Sequence, residues 1–271
     1  MTLTAVAPGV HAWLQLPSGL GRANAGVVVD EDGVTLVDTL MVASQWEPFG
    51  EAVDELGRPI RRVVLTSSHI EFVGGTPRFW QAAMYGSAQT SAHLDQPANV
   101  EVLRRLFPDH AAELPDDLAT RRVSHVVQEA AQLTPAVQAI PVGGQMEENL
   151  VALVPGADVL LAGAMCAFGV TPLVFQGDPG LWADTLDELA DLASVIVPGH
   201  GPVGGVEEVR DLQGYLRACV EADGHPEAIP DGPWDTWPGR ELDPVNVERA
   251  AMLARGDTGV PPSLLQRVGL A

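Results

Sequence analysis

The sequence predicts an α+β fold: two β-sheets packed face to face with helices on the outside, an αββα sandwich forming one domain over 1–271. Three observations predict it. Apolar runs of strand length come in two groups, one before and one after a proline-broken stretch at 87–122. Each group opens on strands and then passes through helix, strand and helix. No internal repeat of fixed period replaces this two-half pattern.

The elements follow in order. Gly9 to Leu16 is rich in strand formers and ends at the turn Pro17-Ser18-Gly19. Ala25–Val29 and Val34–Val37 are apolar runs split by Asp30-Glu31-Asp32-Gly33, a hairpin signal. Ser44–Leu56 has helical periodicity and stops at Gly57. Arg62–Leu65 is a buried strand, and Thr66–Glu71 is the loop after it. Gly74–Ala83 reads as the start of a helix, with a strand over Ala82–Tyr85 as the alternative. Residues 87–122 hold Pro97, Pro108 and Pro115 and read as an inserted cap over the sheet edge. Strands return at Ser124–Val127, Ala136–Ile140, Leu150–Val154, Val159–Leu161 and Val195–Val197. Helices are expected at Trp182–Leu192 and Val206–Val220. A surface loop over Gly224–Pro244 and a last helix over Val245–Ala254 complete the C-terminal 224–271 segment.

Composition narrows the function. The net charge is −21, from 36 acidic and 15 basic residues, and every basic residue is arginine. A field of that sign repels nucleic acid and anionic membrane, so neither is an expected partner. The absence of lysine removes Schiff-base chemistry, a lysine base and Walker-type phosphate loops. No run is long enough to span a bilayer, and residues 1–8 show no secretory signal. Two cysteines make no disulfide framework, so a reduced cytoplasmic protein is expected.

Four local patterns carry the chemistry. They are Val34-Thr35-Leu36-Val37-Asp38-Thr39, the run from Leu65-Thr66-Ser67-Ser68-His69 to Gly74-Gly75, Leu161-Ala162-Gly163-Ala164, and Val197-Pro198-Gly199-His200-Gly201-Pro202. In this order and spacing the chain resembles the metallo-β-lactamase superfamily over roughly 9–220. There the four segments are a strand ending in a buried Asp, a T-H-x-H-x-D-H-x-G-G loop, a strand ending in G-D, and a strand ending in P-G-H-G. Gly169-Val170-Thr171-Pro172, Gly177, Trp182 and Leu186-Asp187 narrow the resemblance to an actinobacterial branch that includes aromatic polyketide ring cyclases. Asn24-Ala25-Gly26 and the run from Gln145 to Pro155 fit that branch too.

The resemblance implies one or two zinc ions held by imidazoles and carboxylates, with a position open for water. Most of those ligand positions are changed here. Ser67 stands at the first histidine, Glu71 at the aspartate, Phe72 at the third histidine, Gln145 at the next loop's histidine and Ala164 at the bridging aspartate. His69 and His200 survive. By the family pattern, His69 would serve one metal and Glu71 with His200 the other, so neither reaches three protein ligands. A lone zinc on His69, Glu71 and His200 would need Glu71 to reach further. No cofactor is therefore expected.

The reading that follows is a metal-independent pocket enzyme acting on a small-molecule, polyketide-like carbonyl substrate. His200 and His69 would be its acid–base groups, with Glu71 orienting one of them and raising the pKa of a neighbouring imidazole. Ser67 would donate to a developing oxyanion. Phe72, Gln145, Ala164 and Cys166 would line the substrate site, although a small buried hydrophobe is the competing reading for Cys166. Asp38 reads as a buried hydrogen-bonding residue, and His11, His93, His110, His125 and His225 as structural or exposed. The rivals are a mono-zinc hydrolase and a non-catalytic scaffold binding a ligand or partner; a homodimer is compatible with each. An open apolar pocket favours an enzyme. A cleft collapsed onto Phe72 and Met146 favours a scaffold.

Overall fold

The computed structural model describes residues 2–270. One sheet contains β1 (Leu3–Ala7), β2 (Val10–Trp13), β3 (Ala25–Asp30), β4 (Gly33–Val37), β5 (Ile60–Val64), β6 (Ala83–Gly86) and β7 (His125–Val126), in that order. Its first four strands are antiparallel; β4 to β7 run parallel. The second sheet has the order β12 (Val195–His200), β11 (Val159–Ala167), β10 (Asn149–Val154), β9 (Gln138–Val142), β8 (Ala131–Gln132). Only β11 and β12 are parallel there.

The parallel joins need crossovers, and helices supply them. α1 (Ala43–Asp54) links β4 to β5, and α5 (Pro179–Ala190) links β11 to β12. The short α2 (Ile70–Val73) follows β5. α3 (Ala88–Leu94) and α4 (Val100–Leu106) lie in the cap, and α6 (Val206–Glu221), α7 (Asp243–Ala254) and α8 (Pro262–Arg267) end the chain.

Strand residues alternate between two cores, which is why the runs read as continuously apolar. In the first sheet Val27, Leu36 and Val63 face α1 and the cap, while Val28, Val37 and Val64 face the other sheet. In the second, Leu150, Ala152 and Leu161 meet them, while Val151, Leu160 and Ile196 face α5 and α6. Three apolar layers between four structural layers give the αββα sandwich expected from the sequence. Each fully buried Leu, Val or Phe contributes about 1.5–3 kcal/mol to holding it.

Three local expectations are corrected. Gly74–Ala83 is not a continuing helix: a 3-10 turn at Thr76–Phe79 leads into β6, whose pairing with β5 outweighs local propensity. The segment 224–244 is not a plain surface loop. Trp234 and Trp237 are buried and pack on Tyr215 at 6.1 and 5.7 Å, since indoles this large gain most by leaving water. α7 is not the last helix, because α8 follows it.

The cap is held by scattered side-chain contacts and not by strand pairing: Arg121 donates to the carbonyls of Phe79 and Ala82 at 2.7 and 2.8 Å, and Glu113 accepts the Ser44 N–H at 3.2 Å. Ser87 and Asn99 cap α3 and α4, and Arg105 donates to the carbonyls of Val268 and Gly269, each at 3.0 Å. The amides of 87–122 are expected to exchange with solvent faster than those of Val195–Val197, because the cap lacks a sheet ladder. Equal protection by hydrogen-exchange mass spectrometry would contradict this.

Candidate functional site

The parallel strands point their C-terminal ends at one edge of the sandwich. The loop after β5 brings Thr66 to Glu71 there, and β11 and β12 bring Ala164 and His200. Asp38, at the end of β4, anchors the first loop from below. Its carboxylate accepts the Thr66 backbone N–H at 2.8 Å and the Thr66 hydroxyl at 2.7 Å. Thr66 Oγ1 in turn accepts the Ala164 N–H at 3.0 Å, joining the two sheets under the site. Burial pushes the Asp38 carboxyl up to about 7, against the two Thr66 contacts, which act to lower it.

Asn24 performs the same service for His200. Its amide donates to the carbonyls of Pro198 and Gly201 at 3.0 and 2.8 Å, and its N–H donates to Gly199 O at 2.6 Å. Gly201 has φ +98°, and a Cβ there would lie 2.0 Å from Phe168 O, so only glycine closes this turn. The His200 Nε2 sits 3.7 Å from Glu71 Oε1. That is too long for a hydrogen bond and short enough for ionic attraction. Glu71 is buried in α2, and its Oε1 accepts the Gly21 N–H at 2.5 Å, which fixes the carboxylate and the 17–24 loop together. Phe72 meets the His200 ring edge-on at 5.8 Å.

His69 is held differently. Its Nε2 lies 2.9 Å from Gln176 Oε1 and its Nδ1 3.1 Å from Gln145 Nε2. The network assigns the proton. Asn149 donates to Gln145 Oε1 at 2.9 Å, so the Gln145 NH2 is left to donate to Nδ1. Nε2 therefore carries the hydrogen and donates to Gln176. A second proton, on Nδ1, would meet the Gln145 N–H groups head-on. The ring is half-buried and stacks on Phe175 at 5.1 Å and 21°. Burial lowers its pKa from the usual value; the Gln176 contact and the Glu71 carboxylate act the other way and lose. The expectation that Glu71 would raise the pKa is thus corrected for His69, because enclosure outweighs the neighbouring charge.

A cavity of about 600 Å3 opens over these groups. His69, Glu71, Phe72, Gln145, Ala164 and His200 all line it, as the sequence suggested. Ser67 does not. It is fully buried, accepts the His69 N–H at 3.2 Å and turns its hydroxyl to Met146 Sδ at 3.0 Å, too deep to reach a substrate. Cys166 does not either. It lies in the core beneath α5 and α6, and burial raises its thiol pKa far above the ordinary value. The cavity is open, with Phe72 in its wall and Met146 buried outside it.

Several lining residues gave no sequence signal. Gln176 comes from the 168–178 loop, which α7 holds. The buried Arg249 donates to the carbonyls of Gln176 and Gly177, both at 2.8 Å, and Asn246 donates to Pro172 O at 2.8 Å. Ser68 Oγ and His93 Nδ1 are 2.8 Å apart, so His93 joins the cap to the site and is more than an exposed histidine. Leu94, Leu103, Leu106, Phe107 and Leu118 of the cap line the cavity's far side.

The donor set does not fit the superfamily's metal centre. Both His69 nitrogens are engaged by glutamine side chains. Phe72 and Ala164 offer no lone pair. Among the described residues no three His, Cys, Asp or Glu side chains are grouped to hold an ion. Also among the described residues, no helix is long and apolar enough to cross a membrane.

Comparison with known proteins agrees with the fold. Across 244 residues the chain is 21% identical to the metallo-beta-lactamase type 2 of Bacteroides fragilis, covering 83% of this chain and 89% of that one. It superposes on a metallo-beta-lactamase family protein from Thermus thermophilus with a TM-score of 0.68 and 19% identity, over 93% of this chain and 95% of that one. The metallo-beta-lactamase FIM-1 of Pseudomonas aeruginosa, solved in its mono-zinc form, gives a TM-score of 0.61 at 20% identity, over 84% and 96%. The family model described as "Metallo-beta-lactamase superfamily" matches residues 18–235, and on that match the chain belongs to the metallo-beta-lactamase superfamily.

Proposed function

We propose that this chain is an enzyme that uses the superfamily's cleft for metal-independent acid–base chemistry on a small carbonyl substrate. Cyclisation, dehydration or enolisation of a polyketide-like ketone fits best, as the branch resemblance suggests. The observation that carries this reading is the His200–Glu71 pair, 3.7 Å apart at the floor of an open, largely apolar cavity of about 600 Å3. His200 is the imidazole whose ring nitrogens no hydrogen bond occupies among the described residues, so it is the group left free to take and return a proton, and Glu71 would steady the imidazolium that forms. Contacts of this kind shorten when substrate displaces water.

His69 takes a different part. Locked as the Nε2–H tautomer between two glutamines, it is a neutral positioning group that keeps the Gln145 and Gln176 amides in place. Hydrolysis, the chemistry of the lactamase relatives, is less favoured here, because nothing in the site replaces the metal that would activate water. The open cavity weighs against a scaffold whose cleft has closed.

The metal-independent part has a direct check. Elemental analysis of protein purified without added metal is expected to find far less than one zinc per chain. About one zinc per chain, lost on His69→Ala, would overturn it in favour of a mono-zinc site.

A further inference from the structure

Glu71 is carried toward His200 by α2, a helix of only four residues. One turn of helix has too few hydrogen bonds of its own to stand rigidly, so the backbone packed against it decides where the carboxylate sits. That backbone is the strap 38–41. The Thr39 N–H donates to Phe72 O at 2.7 Å, and the Gly75 N–H donates to Leu40 O at 3.0 Å. A Cβ on Gly74 would lie 2.0 Å from Met41 O, and one on Gly75 would lie 2.1 Å from Thr39 O, so the strap presses directly on the end of α2. The strap is also strained. Asp38 and Leu40 both have positive φ, +65° and +67°. Residues with a Cβ resist that conformation, and it persists where the surrounding structure enforces it, most often at functional sites.

Gln45, buried in α1, joins this strap to the far end of the Glu71 side chain. Its Oε1 accepts the Met41 N–H at 3.1 Å, which leaves its NH2 to donate to Gly21 O at 2.7 Å. The N–H of the same Gly21 holds Glu71 Oε1 at 2.5 Å. The backbone of Glu71 and its carboxylate are thus both referred to one strap, the first directly and the second through Gln45 and Gly21. The joint leaves no slack. Gly21 has φ +81°, and a Cβ there would come within 2.8 Å of the ring of the cap's His110, whose Nε2 lies 3.4 Å from Gln45 Nε2.

We infer that Gln45 is a positioning residue for the acid–base pair: acting through Gly21, it sets the reach of the Glu71 carboxylate toward His200. The inference rests on the proposed reading for what that pair does, and deepens it by naming the group that fixes its geometry.

The test uses Gln45→Met, which keeps the length of the side chain but cannot donate to Gly21 O. Followed by α-proton exchange of a neutral 1,3-diketone, it is expected to lower kcat about tenfold and to change KM by less than about twofold. Added to Glu71→Gln, it should cost less than about twofold more, because the carboxylate that it places is gone. A merely structural residue would cost the same in both backgrounds. Two NMR readings need no turnover. In the wild type the Gln45 side-chain amide protons should exchange with solvent at least about tenfold more slowly than those of the exposed Gln128. In Gln45→Met the Gly21 backbone amide should exchange at least about tenfold faster than in the wild type. Gln45 amide protons that exchange as fast as those of Gln128 would overturn the inference whether or not the variant folds. So would an unchanged Gly21 amide or, where His200→Ala is impaired, an unchanged kcat or an equal cost in the two backgrounds. Undiminished exchange in His200→Ala would sink the acid–base reading itself, and the two amide readings would then decide alone whether Gln45 places Glu71.

Discussion

Replacing His200 by alanine is expected to slow the reaction by about 10² to 10⁴ while leaving the fold intact, the usual cost of removing a general acid–base group. The expectation comes from the contrast between the two surviving histidines. His200 has an edge-on aromatic neighbour and a carboxylate at 3.7 Å, and among the described residues no hydrogen bond occupies its ring nitrogens. His69 has both nitrogens engaged and a pKa lowered by burial. His69→Ala should therefore act mainly on KM, by releasing Gln145 and Gln176, and cost about tenfold or less in kcat. Glu71→Gln should fall between them, since the amide still accepts the Gly21 N–H but no longer offsets charge on His200. The natural substrate is not needed for this measurement. Exchange of the α-protons of a neutral 1,3-diketone with deuterated water, followed by NMR, reads proton abstraction directly. Undiminished exchange in His200→Ala would remove the acid–base assignment and favour a binding scaffold that works by shape.

Much of this was legible in the sequence because strands buried on both faces leave unbroken apolar runs, as in Gly33–Val37 and Asn149–Val154. β1 was missed because it is an edge strand with mixed exposure, and β8 because two residues carry no pattern, whereas β7 lies inside the strand expected at Ser124–Val127. In the site, the P-G-H-G turn placed His200 correctly, since its glycines answer to a steric demand that any sequence must meet. Cys166 misled for the opposite reason. Counting by twos from Ala164 puts it on the cavity side, but the β11–β12 register shifts at Gly163, and Met165 and Cys166 fall into the core together. Gln176, Thr171 and Asn24 belong to loops, whose positions depend on distant partners such as Arg249 and Asn246. No local spacing announces such a partnership.

Stability should fall as pH rises from about 4 to about 7, and Asp38 should be a principal cause. Its carboxyl has a pKa of about 7 in the folded chain, against 3.8 as the ordinary value, because it is enclosed between the sheets. The folded state therefore holds this proton more tightly than the unfolded one. The group's contribution is complete below the unfolded value and is lost as pH climbs through the folded one, on the order of 4 kcal/mol in all. Asp38→Asn removes the titration while keeping an acceptor for the Thr66 N–H, so urea midpoints of this variant should change much less across the range. Asp38→Ala does more. It strands the Thr66 N–H and disturbs the hydroxyl that receives Ala164, at a cost of about 2–5 kcal/mol at any pH. The same loss would loosen the loop that carries His69 from the strand that carries Ala164. Binding of a neutral ligand should then weaken even where the protein remains folded. If Asp38→Asn loses stability with pH as steeply as the wild type, the slope belongs to repulsion among the 36 acidic residues, and Asp38 is a plain ionised anchor.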